Sequence, residues 1–146
     1  MHGVDPNGGA SGQQVATCRI ASEADLLRVR QLLREHSRAL GLGLVDQTKV
    51  VTAGSELARN ILKYAPRPGG EMQVSVFPGE RRSGLRAVFV DRGPGIADLQ
   101  LAMKDGYSSS GSLGLGLPGA RRLVDHFEID SVLGRGTRVT IVKWLR

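Results

Sequence analysis

The order of strand-like and helix-like segments limits this chain of 146 residues to few folds. Apolar residues that alternate or run together indicate strands, and apolar residues at helical spacing indicate helices. The resulting order is strand, helix, helix, two strands, helix, two strands. A doubly wound parallel sheet would alternate strands and helices more strictly. The order therefore predicts an α+β fold, a two-layer sandwich whose mixed, mostly antiparallel sheet carries helices on one face.

Local signals set the predicted boundaries. Ser22 and Asp25 resemble a capping box ahead of the first helix, which ends near Gly41. Asp46 is the predicted N-cap of the second helix, and Pro66 ends it. Residues 1–12 are rich in Gly, Asn, Pro and Ser, so a disordered tail is expected before one domain over 13–146. The predicted elements are strands over 13–20, 70–79, 83–91, 127–134 and 137–146, and helices to about 40 and over 47–64, 96–104 and 118–127.

Composition excludes several classes of protein. Hydrophobic residues make up 40% and charged residues 23%, which is ordinary for a globular domain. No apolar run approaches the length of a membrane span and no signal peptide is apparent, so a cytoplasmic protein without a membrane partner is expected. The single cysteine, Cys18, excludes an internal disulfide and a cysteine metal cage. We interpret Cys18 as a strand residue rather than a nucleophile.

The chain is basic, with a net charge of +6. Such a charge suits a nucleic acid, a polyanionic ligand or an acidic protein partner. The basic residues are scattered, and only three Phe, two Tyr and one Trp are available to stack on bases. Nucleic-acid binding is therefore the least favoured of the three.

Three segments contain candidate functional residues, and each also has a plain structural interpretation. Glu56 and Asn60 are four residues apart, so they share a face of the second helix. That face is either simply solvated or a base beside an oxygen ligand for Mg²⁺. Asp91 ends the strand in VFVDRGPGI, where it is either a turn former or an acceptor for the amine of a flat ring.

The third segment is DGYSSSGSLGLGLPGARRLVDHF, in which glycines precede a helix. Bare backbone N–H groups at a helix start bind anions such as phosphate. The spacing is neither a Walker A loop nor a dinucleotide-binding fingerprint. A flexible linker is the alternative, but Leu113, Leu115 and Leu117 alternate with the glycines and need somewhere to pack.

The order of these motifs resembles the four ATP-binding boxes shared by gyrase, Hsp90, histidine kinases and MutL, the GHKL superfamily. The boxes read Glu-x-x-x-Asn, Asp-x-Gly-x-Gly, Gly-x-x-Gly-x-Gly-Leu and, in the last hairpin, Gly-x-Gly-Thr. Within that superfamily, ELARNI, DRGPGI, the glycine segment and the terminal KWLR resemble anti-sigma-factor-type serine/threonine kinases, and among these the switch kinases of the stressosome pathway. The resemblance extends from about Cys18 to the C-terminus and implies the Bergerat ATP-binding fold.

The resemblance also implies a role for each motif residue. Glu56 would be the general base for a substrate hydroxyl and Asn60 the ligand of Mg²⁺. Asp91 would bind the adenine amine with help from Gly95 and Thr137, and 96–110 would form a lid. The residues implied in ATP binding are Asn60, Asp91, Gly93, Gly95, Ile96, Ser110, Gly111, Leu113, Gly114, Leu115, Gly116 and Thr137, of which Gly111, Gly114 and Gly116 would frame the phosphates.

The implied function is a protein serine/threonine kinase that uses ATP and Mg²⁺. Its substrate would be a STAS-type anti-sigma antagonist. After release, it would bind and activate a PPM-type phosphatase in a bacterial stress-signalling pathway. The alternative is a nucleotide-binding interaction module that acts by binding alone. The presence of Glu56 favours the enzyme, because a degenerate module would be expected to lose its base first. A homodimer is left open.

Overall fold

A computed structural model describes residues 12–77, 82–97, 102–104 and 116–146. The elements follow the predicted order. Of the predicted short helix over 96–104, residues 98–101 lie outside the described ranges, and 96 and 97 are not helical. The predicted tail lies outside the described ranges up to residue 11. The elements are β1 (Gln13–Ile20), α1 (Glu23–Leu40), α2 (Leu44–Tyr64), β2 (Gly70–Phe77), β3 (Gly84–Asp91), α3 (Gly116–Arg122), β4 (His126–Val132) and β5 (Gly136–Trp144).

Within the described residues, five strands form one sheet in the order β1-β2-β3-β5-β4. Every neighbouring pair is antiparallel, so the sheet is not mixed. The reason lies in the connections. Helices α1 and α2 follow β1 and together bring the chain back to the end of the sheet where β1 finishes, so β2 runs antiparallel to β1. In the same way, α3 and β4 bring the chain back to the end of the sheet where β3 finishes, so β5 runs antiparallel to β3. The predicted α+β two-layer fold is confirmed.

The core lies between the helices and one face of the sheet. Apolar residues at helical spacing on α1 and α2 point at alternate residues of the strands, as amphipathic elements require. The buried members include Leu26, Val29 and Leu33 of α1, Val50, Leu57 and Ile61 of α2, and Met72, Val74, Phe89 and Ile141 of the sheet. None of the described helices is long and apolar enough to cross a bilayer.

Helix α2 begins earlier than predicted. It starts at Leu44 with Gly43 as the N-cap, so the predicted cap at Asp46 is wrong. The amide of Gln47 donates to the Gly43 carbonyl at 2.9 Å. Asp46 instead lies within the first turn, where Lys143 Nζ is 3.4 Å from its carboxylate. Apolar spacing could not reveal this first turn, because Leu44 is exposed to solvent.

Helix α3 ends earlier than predicted. It stops at Arg122 rather than Phe127, and β4 begins at His126. Asp125 explains the change, because its backbone N–H donates to the Val142 carbonyl at 2.9 Å. Its side chain also accepts from the Trp144 amide at 2.7 Å. The chain therefore joins the edge of the sheet at Asp125 and can no longer continue as a helix.

The predicted start of α1 is confirmed. One carboxylate oxygen of Asp25 accepts the amide of Ala21 at 2.8 Å and that of Ser22 at 3.0 Å. These hydrogen bonds, the one from Ala21 above all, lower the pKa of Asp25. They fix the turn between β1 and α1.

Cys18 is a structural residue of β1, as predicted. Its side chain is buried in the core between sheet and helices. Burial, and then the nearby charge of Asp25, raises the pKa of the Cys18 thiol. A thiol whose pKa is raised is a poor nucleophile at neutral pH.

Candidate functional site

The ends of β3, β5 and α2 meet at one edge of the sandwich. Asp91, the last residue of β3, lies opposite Thr137 near the start of β5. Beyond β3, a β-carbon on Gly93 would lie 2.5 Å from the β-carbon of Ala65, the C-cap residue of α2. The absence of a side chain at Gly93 thus allows the loop after β3 to contact the end of α2. The fold brings the predicted Asp-x-Gly-x-Gly motif and the predicted helix motif to the same edge.

Asp91 has one oxygen engaged and one available. Its Oδ1 accepts the backbone N–H of Gly93 at 2.9 Å. Within the described part of the chain, no donor reaches Oδ2. The carboxylate is partly buried, so it can orient itself on the turn with one oxygen and accept a ligand hydrogen bond with the other. Both interpretations of Asp91 offered by the sequence are therefore compatible with its geometry.

Two glycines hold the loop after β3 against the last hairpin. Gly95 has φ +81 and a β-carbon there would lie 2.6 Å from the Val132 carbonyl oxygen. Gly136 has φ +124 and a β-carbon there would lie 2.1 Å from the Asp91 carbonyl oxygen. Only glycine fits such contacts at positive φ. The second and fourth sequence motifs are thus packed directly against each other.

Ser131 of β4 is a candidate site residue that no sequence motif indicated. Its Oγ accepts the backbone N–H of Ile96 at 2.8 Å and lies 2.8 Å from Thr137 Oγ1. Thr137 and Ile96, both predicted site residues, are thereby joined through one hydroxyl. The available signal was the alternation of Phe127, Ile129 and Ser131, in which a polar residue occupies the third core-facing position.

Glu56 lies where α2 meets α3. Its side chain is only 13% exposed, and Arg59 Nη1 is 2.7 Å from its Oε1. The backbone N–H of Gly116, the first residue of α3, donates to its Oε2 at 3.4 Å. The predicted base therefore contacts the end of the glycine segment. No sequence motif assigned a role to Arg59.

Asn60 lies one helical turn beyond Glu56 and is partly exposed. No residue in the described ranges hydrogen-bonds to its carboxamide. The same ranges contain no group of three or more His, Cys, Asp or Glu side chains that could hold a metal ion. Mg²⁺ commonly takes one or two protein oxygens and completes its shell with phosphate oxygens and water. Asn60 thus fits a Mg²⁺ ion that arrives with a nucleotide, and it does not fit a cation held by protein alone.

The remaining predicted residues fall outside the described ranges. They are Ser110, Gly111, Leu113, Gly114 and Leu115, together with most of the predicted lid over 96–110. Leu117, the last of the three leucines for which packing was expected, is buried in the core. The described end of the segment, from Gly116, is therefore part of the domain, which speaks against a linker at that point.

Comparison with known proteins shows the family of the chain. Residues 20–143 match the family model of the histidine kinase-like ATPase domain. Serine/threonine-protein kinase RsbT of Bacillus subtilis (strain 168) is 46% identical over 128 residues, which cover 88% of this chain and 95% of RsbT.

Two solved structures share the fold. The first contains the RsbU and RsbW domains of a Mycobacterium tuberculosis protein, with a TM-score of 0.62, 20% identity and 93% of this chain covered. This chain spans only 33% of that protein. The second is the SiaB–SiaC complex of Pseudomonas aeruginosa, with a TM-score of 0.51, 13% identity, and 90% of this chain and 91% of that chain covered. The chain belongs to the histidine kinase-like ATPase family and, like RsbT, is an ATP-using serine/threonine-protein kinase.

Proposed function

We propose that this kinase transfers the γ-phosphoryl group of Mg-ATP to a serine or threonine of a STAS-type anti-sigma antagonist. The observation that carries the proposal is the position of Glu56. It lies one helical turn from Asn60 and its Oε2 is 3.4 Å from the Gly116 amide, at the end of the glycine segment. A carboxylate between a Mg²⁺ ligand and a phosphate-binding loop is suited to a general base in phosphoryl transfer.

Asp91 and Asn60 are proposed to hold the two ends of the nucleotide. The Oδ2 oxygen of Asp91 accepts a hydrogen bond from the exocyclic amine of adenine, while Oδ1 still accepts the Gly93 N–H. Ser131 and Thr137 fix the loop at Ile96 beside the base. Asn60 would hold Mg²⁺ through its carboxamide oxygen, and the bound ion would supply positive charge against the phosphates. These roles use groups that the described contacts leave available.

The proposed reaction is an in-line displacement at the γ-phosphorus. The substrate hydroxyl oxygen forms a bond to phosphorus while the bond to the β,γ-bridging oxygen breaks, and ADP leaves with that electron pair. Glu56 accepts the hydroxyl proton. Positioning and charge neutralisation supply most of such a rate enhancement, and a well-placed base adds about 10²–10⁴-fold. Glu56 also favours catalysis over a module that binds nucleotide and partner without transferring phosphate.

A second role, binding and activation of a PPM-type phosphatase, is proposed from the resemblance to switch kinases. The net charge of +6 suits an acidic surface on either partner. The two roles are separable in experiment, because phosphatase activation requires contact and phosphotransfer requires Glu56.

The decisive experiment is phosphotransfer with purified components. The kinase, ATP labelled on its γ-phosphate and a purified STAS-domain protein are incubated with and without Mg²⁺. Label on the STAS protein is expected only with Mg²⁺, and it should fall by about 10²–10⁴-fold with Glu56→Gln. A STAS variant with alanine at the acceptor position controls for non-specific labelling. Nucleotide binding without any label transfer would support the interaction module instead.

A further inference from the structure

Arg59 forms a close ion pair with the proposed base. Its Nη1 is 2.7 Å from Glu56 Oε1, and the two residues are at positions i and i+3 of α2. Because the other oxygen, Oε2, accepts from Gly116, both oxygens of Glu56 already have donors. Oε1 is held by the shorter and charged interaction.

The two partners differ in exposure. The Glu56 side chain is 13% exposed, whereas that of Arg59 is 46% exposed. Glu56 is thus confined between α2 and α3, while the guanidinium covers it from the solvent side. A guanidinium has five N–H donors in a planar fork, and this fork suits phosphate oxygens as well as carboxylates. Glu56 is its one partner among the described contacts.

This pair opposes the proposed chemistry of Glu56. A general base must direct a lone pair at the hydroxyl proton from about 2.6–3.2 Å. A guanidinium that donates to Oε1 occupies that direction and stabilises the negative charge that the proton would neutralise. The arrangement suits a resting site, in which the base is protected until a competing anion draws Arg59 away.

We propose that Arg59 is a positioning residue that senses the γ-phosphate. Without nucleotide it holds Glu56. With Mg-ATP it donates to γ-phosphate oxygens and leaves Oε1 for the substrate hydroxyl. ADP lacks the γ-phosphate. With ADP bound, Arg59 therefore still donates to Oε1 of Glu56 and keeps that oxygen from the substrate hydroxyl. This inference rests on the proposed nucleotide site, since Gly116, at the end of the phosphate loop, contacts the same carboxylate.

The test compares the affinities of ADP and of a non-hydrolysable ATP analogue, both with Mg²⁺, by calorimetry. Arg59→Ala is expected to weaken the analogue about tenfold, as expected for one lost charge-assisted hydrogen bond, and to change ADP affinity less than about twofold. Arg59→Lys should recover part of the difference, because it keeps the charge but not the planar fork. Arg28→Ala, an exposed arginine of α1, is the control and should change neither affinity.

Glu56→Gln supplies a second, independent measurement. The neutral glutamine binds Arg59 less tightly than the carboxylate does, so the ATP analogue should bind about threefold more tightly. This gain in affinity should vanish in the Glu56→Gln, Arg59→Ala double variant. Equal losses for ADP and the analogue in Arg59→Ala, or no loss at all, would overturn the sensing role while leaving the kinase proposal intact. Failure of the unaltered protein to bind either nucleotide would overturn both.

Discussion

Asp91 and Thr137 lie opposite each other in the antiparallel ladder between β3 and β5. The next residue back along β5, Gly136, runs so close to Asp91 that a β-carbon there would lie 2.1 Å from the Asp91 carbonyl oxygen. The last hairpin of the chain thus sets the position of Asp91, whose carboxylate is proposed to bind adenine. It explains why Gly-x-Gly-Thr accompanies Asp-x-Gly-x-Gly although the two motifs are far apart in sequence.

Gly136→Ala is expected to destabilise the protein by about 3 kcal/mol, because the new methyl group meets backbone that cannot move cheaply. Gly134→Ala is a matched control in the same hairpin. Gly134 also has positive φ, +80, but its β-carbon would meet nothing within 4 Å. It should cost only about 1 kcal/mol of backbone strain. Denaturant unfolding measures both. Equal losses would mean that the close contact to Asp91 does not constrain the hairpin.

Asp91→Asn is expected to weaken ATP binding at least about tenfold while changing the melting temperature of the nucleotide-free protein little. The carboxamide oxygen can still accept the Gly93 amide, so the turn is retained. Its NH₂ group then faces the adenine amine, and two donors cannot pair. Calorimetry with ATP and thermal unfolding without it separate the two effects. Unchanged affinity would reduce Asp91 to a turn former.

The fold was largely predictable because long apolar periods determine it. The eight described elements appear in the predicted order, and α1 even begins at its predicted capping box. The errors lie at the start of α2 and at the C-terminal end of α3. Leu44 is exposed, so it adds nothing to the apolar period of α2. Asp125 joins the sheet through a hydrogen bond to Val142, far along the chain. Local signals cannot report contacts of that kind.

The candidate site could be predicted as a set of motifs but not as a set of contacts. The order of the four motifs indicated Glu56, Asn60 and Asp91 as candidates, and their roles stay predictions. The hydroxyl of Ser131, which joins Ile96 to Thr137, depends on strand pairing. The i, i+3 spacing of Glu56 and Arg59 is visible in the sequence, but the contact between the guanidinium and Oε1 depends on side-chain rotamers. Strand pairing and rotamers are not encoded in the order of the motifs.

Glu56→Gln and Asn60→Ala are expected to separate chemistry from binding. Glu56→Gln should keep ATP affinity within a few-fold and reduce phosphotransfer by about 10²–10⁴-fold. Asn60→Ala should abolish Mg-ATP binding or weaken it severely, because no described cluster of ligands can replace its oxygen. Calorimetry beside the phosphotransfer assay measures both. A fully active Glu56→Gln variant would contradict the assignment of the base.

The pH dependence of stability should reveal the capping box. The pKa of Asp25 is lowered in the folded protein, chiefly by the Ala21 amide, so the unfolded chain binds that proton more tightly. The stabilisation is therefore complete above the unfolded value of about 3.9 and is lost as pH falls through the lower folded value. The difference in unfolding free energy between the unaltered protein and Asp25→Asn should shrink from pH 6 to pH 3, with pH varied at constant ionic strength. A difference independent of pH would contradict this role.

Phosphorylation of the substrate is expected to release the kinase, and the substrate and the phosphatase are expected to compete for it. A phosphoserine carries close to two negative charges, and beside Glu56 and the phosphates of bound nucleotide it would be repelled. Pull-downs with serine, alanine and aspartate forms of the STAS protein measure this. The alanine form, and the serine form without ATP, should retain the kinase, whereas the aspartate form should leave it free for the phosphatase. A stable ternary complex of kinase, STAS protein and phosphatase would exclude a switch between partners, although phosphotransfer itself could persist in such a complex.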